Sequence, residues 1–145
     1  MILLADDDSD DRLLVKDALA ECGQTVNLVC VENGEQLVDY LFRRGNYAAP
    51  AAAPRPGLVL LDLNMPRKDG REALREIKAE PTLRRIPVVA FTTSRADTDV
   101  ATLYDLGANS FVTKPVQFEQ LVAVIKKINQ YWFETVELPG ARGVA

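Results

Sequence analysis

Three acids, a threonine and a lysine each stand at or just past the end of a short apolar run. Asp6 and Asp7 follow Ile2–Ala5, Asp62 follows Leu58–Leu61, Thr92 follows residues 87–91, and Lys114 comes soon after residues 110–112. If those runs lie side by side, the carboxylates of Asp6, Asp7 and Asp62 repel one another unless a cation sits among them. A hard cation with oxygen ligands fits, and Mg2+ is the usual one where a phosphate completes its shell. Lys114 brings a compact positive charge suited to a phosphoryl oxygen, and Thr92 brings a hydroxyl donor. A carboxylate nucleophile, a metal and charge stabilisers are the parts that phosphoryl transfer requires. Taken singly, each residue has a plainer reading: a capping or solvated acid, a turn aspartate, a surface lysine, a strand threonine. Their joint placement at one edge is what overturns those readings.

That placement depends on the elements between them. Ile2–Ala5 reads as a buried parallel strand. Ser9, Asp10 and Asp11 supply a helix cap and first-turn acids, Leu14, Val15, Ala18, Leu19 and Cys22 an apolar stripe, and Gly23 a stop. Residues 26–31 read as a second strand. Asn33 with Gln36 has capping-box spacing, Leu37, Val38, Leu41 and Phe42 form the buried face behind it, and Gly45 ends that helix. Residues 46–57, rich in alanine and proline, read as a long surface loop. Leu58–Leu61 is the most apolar strand. Asp69 and Glu72 then open a helix with Ala73, Leu74 and Ile77 inside, and residues 87–91 form the fourth strand. A helix with Ala96, Val100, Leu103 and Tyr104 inward stops at Gly107, residues 110–112 form a fifth strand, and the last helix covers residues 117–133.

Strand and helix thus alternate five times. The order predicts an α/β fold, a five-stranded parallel sheet doubly wound with five helices and right-handed crossovers. In such sheets the functional crevice lies outside the carboxyl ends of the strands. Those ends carry the acids, Thr92 and Lys114.

Composition narrows the function from the other side. The chain has 145 residues, enough for one domain with a proper core. A net charge of −4 argues against a nucleic-acid partner, and the pairs Arg43-Arg44 and Arg84-Arg85 read as solvated faces. There is no histidine, which excludes Ser-His-Asp and Cys-His catalysis within the chain and assigns any phosphohistidine to a partner. Cys22 and Cys30 read as small buried hydrophobes in a reducing cytosol. No apolar run approaches the roughly 20 residues of a membrane span, so a cytoplasmic protein without a membrane partner is expected.

The motifs Ile2-Leu-Leu-Ala-Asp-Asp-Asp8, Leu60-Leu-Asp-Leu-Asn-Met-Pro66, Asp69-Gly70, Pro87-Val-Val-Ala-Phe-Thr92 and Thr113-Lys-Pro115 resemble the receiver domain of two-component response regulators. The resemblance runs from Ile2 to Phe133 and implies the flavodoxin-like receiver fold. It implies that Asp62 is the phosphoacceptor for a sensor histidine kinase. Mg2+ is then held by the side chains of Asp7 and Asp62, by the backbone carbonyl of Asn64, and by Asp6 largely through water. Thr92 and Lys114 each contact a phosphoryl oxygen, Phe111 stands at the family's aromatic switch position, and Lys114-Pro115 at a position with a cis peptide. Asn64 and Ser94 occupy positions that tune the lifetime of the aspartyl phosphate. Thr93 is larger than the residue often found at its place, which narrows access to the phosphate, and Asp8 adds an acid to the usual pair.

A narrower resemblance covers residues 68–78, Ile86-Pro-Val-Val, Thr92-Thr-Ser94 and the tail Tyr131-Trp-Phe-Glu-Thr-Val-Glu-Leu-Pro139. These are similar to the small regulators that pair with bacterial and cyanobacterial phytochromes, which implies a red-light-sensing kinase. Residues 1–134 are then a stand-alone receiver domain, with residues 135–145 as a C-terminal extension. Phe118, Leu121, Ile125, Ile128 and Trp132 cluster on one side of the last helix, and their neighbours widen the apolar arc to roughly 200°. An arc wider than one buried face needs, followed by β-branched residues with no helical period, predicts a homodimer through this helix and an extended arm. Two other functions fit the residues less well. Asp62-Leu63-Asn64 is one residue short of the two-aspartate motif of haloacid-dehalogenase-like phosphatases, whose second aspartate asparagine cannot replace. A docking module that is never phosphorylated would not need the intact set of Asp7, Asp62, Thr92 and Lys114.

Overall fold

The computed structural model of the protein describes residues 1–23, 26–49 and 53–139. Strands β1 (Ile2–Ala5), β2 (Leu28–Val31), β3 (Leu58–Leu61), β4 (Val88–Thr92) and β5 (Ser110–Thr113) form one sheet in the order β2-β1-β3-β4-β5, and every pairing is parallel. Helices α1 (Ser9–Glu21), α2 (Gly34–Phe42), α3 (Gly70–Ala79), α4 (Asp97–Asp105) and α5 (Phe118–Gln130) connect and follow them. The expected doubly wound fold is the one observed.

Two hydrophobic cores sandwich the sheet, and successive strand residues alternate between them. Leu3, Ala5, Val59, Leu61, Val88 and Ala90 face α2 and α3 through Leu37, Leu41, Leu74 and Ile77. Ile2, Leu4, Leu58, Leu60, Val89 and Phe91 face α1 and α5 through Val15, Ala18, Leu121 and Ile125. This two-residue alternation explains why the central strands read as unbroken apolar runs: both faces are covered. It also locks the register, because a slip of one residue would exchange the two faces. Ala5 pairs with Leu61, so the residues that follow them, Asp6 and Asp62, leave the sheet at the same level.

Caps fix where the helices begin. Asn33 accepts from the Gln36 N–H at 2.8 Å, and Asp69 accepts from the N–H groups of Arg71 and Glu72 at 2.9 and 3.1 Å. On α1 the cap is Asp8, bonded to the Asp10 and Asp11 N–H groups, not Ser9; its carboxylate takes two of the orphan donors of the first turn. Gly70 opens α3 so close to β3 that a Cβ would fall 2.4 Å from the Asp62 carbonyl oxygen. Only glycine allows that approach, which seats the helix against the strand end carrying Asp62.

Other expectations are corrected. The second strand begins at Leu28, two residues later than read, and Val26 lies before it. Helix α2 stops at Phe42, before Gly45, because Arg43 turns left-handed at φ 56° and the Arg44 N–H bonds back to Asp39. Within the expected loop at 46–57, Gly45–Tyr47 form a short 3-10 turn and Ala53 is buried; residues 50–52 lie outside the described part. Leu14 on α1 and Tyr104 on α4 are exposed where burial was expected, and Leu103 alone is fully buried on α4. Both cysteines are free, and Cys30 is exposed where a buried residue was expected. The last helix ends at Gln130 and continues as a π-helical turn, Tyr131–Thr135, with Phe133 and Leu138 lying against Gly57 of the same chain. Among the described residues no helix is long and apolar enough to cross a membrane.

Candidate phosphoryl-transfer site

The carboxyl ends of β1, β3, β4 and β5 bring the residues singled out above to one place. Asp6 is fully buried, Asp62 and Lys114 nearly so, and Asp7 is exposed at the rim. Main-chain bonds hold these ends rigidly: Asp62 N–H to Ala5 O at 3.0 Å, Asp6 N–H to Val31 O at 3.1 Å, and Lys114 N–H to Thr92 O at 2.7 Å. Asp6 is fixed further by the Asp8 N–H on its Oδ1 at 3.0 Å and by Arg12 Nη1 on its carbonyl at 2.8 Å.

Asp6, Asp7 and Asp62 each offer a carboxylate oxygen, and these oxygens all lie within 4.8 Å of one another. An all-oxygen set of this size, with two of its acids buried and the third open to solvent, suits a hard divalent cation with coordination positions left for water or phosphate. Asn64 is exposed on the loop two residues beyond Asp62.

Lys114 Nζ lies 2.5 Å from Asp6 Oδ2, 3.0 Å from Asp11 Oδ2 and 3.8 Å from Asp62 Oδ2. Burial alone would lower the pKa of its ammonium, but the hydrogen bond and charge of Asp6, with Asp62 and Asp11 adding, outweigh it and hold the pKa above the ordinary lysine value. Burial pushes the Asp6 carboxyl upward, and the nearby Asp62 adds to this while Lys114 opposes it. The side chain of Thr92 is fully buried, and its Oγ1 has no hydrogen-bond partner among the described residues. A buried hydroxyl without a partner is costly unless something occupies it in another state. Phe111 is half buried and packs against the core on the α2–α3 side.

Two features were not anticipated. Asp11, read as a first-turn acid, is a direct partner of Lys114, a pairing across 103 residues that leaves no local signal in the sequence. Asp99 joins the loop after β4 to α3. It accepts from Ser94 Oγ and from Arg71 Nη2, both at 2.6 Å, and these bonds hold its pKa below the ordinary aspartate value. Among the described residues no peptide bond is cis, so Lys114–Pro115 is trans where the resemblance implied cis; trans is the form an X–Pro bond ordinarily prefers.

The chain matches the model of the response regulator receiver domain over residues 2–126. It is 41% identical to the response regulator Rcp1 of Synechocystis over 141 residues, 97% of this chain and 94% of that protein. Among solved structures it resembles the phosphorylated cyanobacterial phytochrome response regulator RcpA, with a TM-score of 0.88 and 44% identity over 95% of this chain and 96% of the other. The Mn2+-bound form of Rcp1 superposes with a TM-score of 0.84 at 41% identity, covering 95% and 97% of the two chains. The response regulator RPA3017, of red-light signalling in R. palustris, gives 0.90 at 35% identity over 95% and 96%.

The crowding of acids makes a stability prediction. Without a divalent ion, Asp7→Ala is expected to raise stability by about 1 kcal/mol at low salt, because a like charge is removed from the cluster. With Mg2+ at about a hundred times its dissociation constant the parent gains about 2.7 kcal/mol and overtakes the variant. Urea melts with and without Mg2+ check this. A variant no more stable than the parent in EDTA, and equally stabilised by Mg2+, contradicts the assignment.

Proposed function

The chain belongs to the response regulator receiver domain family, and on that premise we propose that Asp62 accepts a phosphoryl group from a sensor histidine kinase, a phytochrome in the relatives' manner. The observation that carries this reading is Asp62 itself, nearly buried at a strand end, with an ammonium 3.8 Å away and two further carboxylates beside it. As a response regulator the chain signals; it does not catalyse a metabolic reaction.

In the proposed step an Asp62 carboxylate oxygen attacks phosphorus while the P–N bond to the kinase imidazole breaks, its electron pair returning to that nitrogen. The product is an acyl phosphate on Asp62. The chain has no histidine, so the phosphorylated nitrogen belongs to the kinase. Lys114 donates to one phosphoryl oxygen, and the unpartnered hydroxyl of Thr92 turns to another. Phe111, paired with Ala90 two residues before Thr92 and so on the same face of the sheet, moves into the space that Thr92 leaves and carries the change to the surface. Mg2+ would be held by Asp6, Asp7, Asp62 and the backbone carbonyl of Asn64, and would supply neutralisation of the charge on the transferring group. Slow self-dephosphorylation is the reverse bookkeeping with water: it attacks phosphorus, inorganic phosphate leaves, and the Asp62 carboxylate is regenerated.

Residues 1–134 are read as the receiver and 135–145 as an extension that makes a homodimer, together with the end of α5. Tyr131 is 52% exposed, Phe118 is 39% exposed, and Val136, just past the π-helical turn, is extended. Phe133 and Leu138 cover Gly57 of their own chain, so the interface assigned here uses Tyr131 and Phe118 with the tail laid alongside.

Asp62→Asn keeps the shape of the side chain and removes the nucleophile. Incubated with acetyl phosphate and Mg2+, the parent is expected to gain the mass of one phosphoryl group and the variant none; equal labelling of both sinks the assignment. For the dimer, light scattering at high micromolar concentration should give twice the chain mass for the full chain and the single mass for Tyr131→Asp and for a chain ended after Glu134. A full-length protein that stays monomeric refutes the interface.

A further inference from the structure

A lysine ammonium has three N–H donors and no acceptor. In this structure two of the three are committed: Lys114 Nζ bonds to Asp6 at 2.5 Å and to Asp11 at 3.0 Å. The third partner, Asp62 Oδ2 at 3.8 Å, lies beyond hydrogen-bond range, so the donor on that side is aimed at the acceptor without being consumed by it. The two anchors come from different elements. Asp6 ends β1, and Asp11 lies in the first turn of α1, which Asp8 caps.

A lysine side chain has a flexible four-carbon stem with many rotamers, so one anchor would leave Nζ free to swing about it. Two anchors at a fixed separation define where the third donor points. Asp6 is also the less dependable of the two, because its carboxylate belongs to the cluster that suits a divalent cation. Asp11 stands outside that cluster. Its remaining interactions are local, an N–H bond to Asp8 Oδ1 at 3.3 Å, and Lys114 is the partner its carboxylate reaches across 103 residues of sequence.

We propose that Asp11 is a positioning residue for phosphoryl transfer: it pins Lys114 from α1 so that the remaining N–H faces the phosphoryl group on Asp62. The inference rests on the reading of Asp62 as the phosphoryl acceptor. Asp11 itself touches neither the phosphoryl group nor the cation; it acts through Lys114. Placing the ammonium beforehand means that no side-chain ordering is required at the moment of transfer. The plainer role for Asp11, a first-turn acid favourable to the helix start, is shared by Asp10, which is exposed and makes no contact with Lys114.

The test compares the full-length parent with Asp11→Asn, Asp11→Glu and Asp10→Asn. Three quantities are measured on each: affinity for Mg2+ alone, affinity for beryllium trifluoride in saturating Mg2+, and the rate of labelling by acetyl phosphate. Loss of one charge-assisted hydrogen bond should weaken beryllium trifluoride binding and slow labelling by about tenfold in Asp11→Asn. Asp11→Glu, which keeps the carboxylate, should recover most of the loss, Asp10→Asn should match the parent, and Mg2+ affinity should stay level throughout. Tighter or unchanged beryllium trifluoride binding in Asp11→Asn overturns the inference, since Asp11 would then compete with the phosphoryl group or stand idle. A fall in Mg2+ affinity that tracks the fall in beryllium trifluoride affinity overturns it too, as does an equal loss in Asp10→Asn. If the parent takes no phosphoryl group on Asp62, the site reading fails first and the inference falls with it, an outcome distinct from the other three.

Discussion

Charge at the carboxyl end of the sheet governs what the rest of the molecule must do. Asp6, Asp11 and Asp62 lie within 4 Å of the Lys114 ammonium, and Asp7 joins Asp6 and Asp62 with oxygens inside 4.8 Å. Two unit charges at such a separation repel by roughly 3 kcal/mol at an effective dielectric of about 20. With all groups ionised, four carboxylates against one ammonium leave three surplus negative charges (4 − 1 = 3). One lysine therefore orders the cluster without neutralising it. The converging oxygens of Asp6, Asp7 and Asp62, with Asp11 outside them, are what would give a divalent cation its affinity, and the cation in turn would let a dianionic phosphoryl group approach.

Such a cluster holds together only where the backbone under it cannot yield. The two cores press the sheet from both sides, and the β1–β3 pairing sets Asp6 and Asp62 at one level. The main-chain bonds from Asp6, Asp62 and Lys114 to neighbouring strands mean that relaxation by repulsion would break the sheet itself. The contact of Gly70 with the Asp62 carbonyl and the link from Arg71 through Asp99 to Ser94 extend that rigidity to the loops on either side of Asp62. Thr92 is the exception. Its hydroxyl is buried and idle, a small local cost held in place by a stable core.

How much of this was legible in the sequence follows from the physics of each part. Strand residues were readable because burial on both faces leaves unbroken apolar runs, and the first polar residue after each run must sit at the sheet edge; Asp6, Asp62 and Thr92 follow from that alone. Asp69 and Asn33 were readable as caps because side chain and backbone N–H lie close in sequence. Asp11 was not recognised, since its pairing with Lys114 crosses the whole fold and leaves no local trace. Leu14 and Tyr104 mislead for another reason: an apolar residue at helical spacing marks a face, yet the spacing does not say how wide a face the sheet covers. The end of α2 at Phe42 was obscured because Arg43, a residue with no preference for φ above zero, adopts the left-handed conformation ahead of the glycine.

The central claim is that the charge cluster exists to place a phosphoryl group on one particular carboxylate. Borohydride reduces an aspartyl phosphate to the alcohol, converting the acceptor aspartate to homoserine with loss of phosphate. Peptide mass mapping of the protein treated with acetyl phosphate, Mg2+ and then borohydride reads the acceptor directly. The account predicts homoserine at position 62 and at no other aspartate, with none formed in EDTA. Homoserine at Asp6, Asp7 or Asp11, or its formation without a divalent ion, would contradict it.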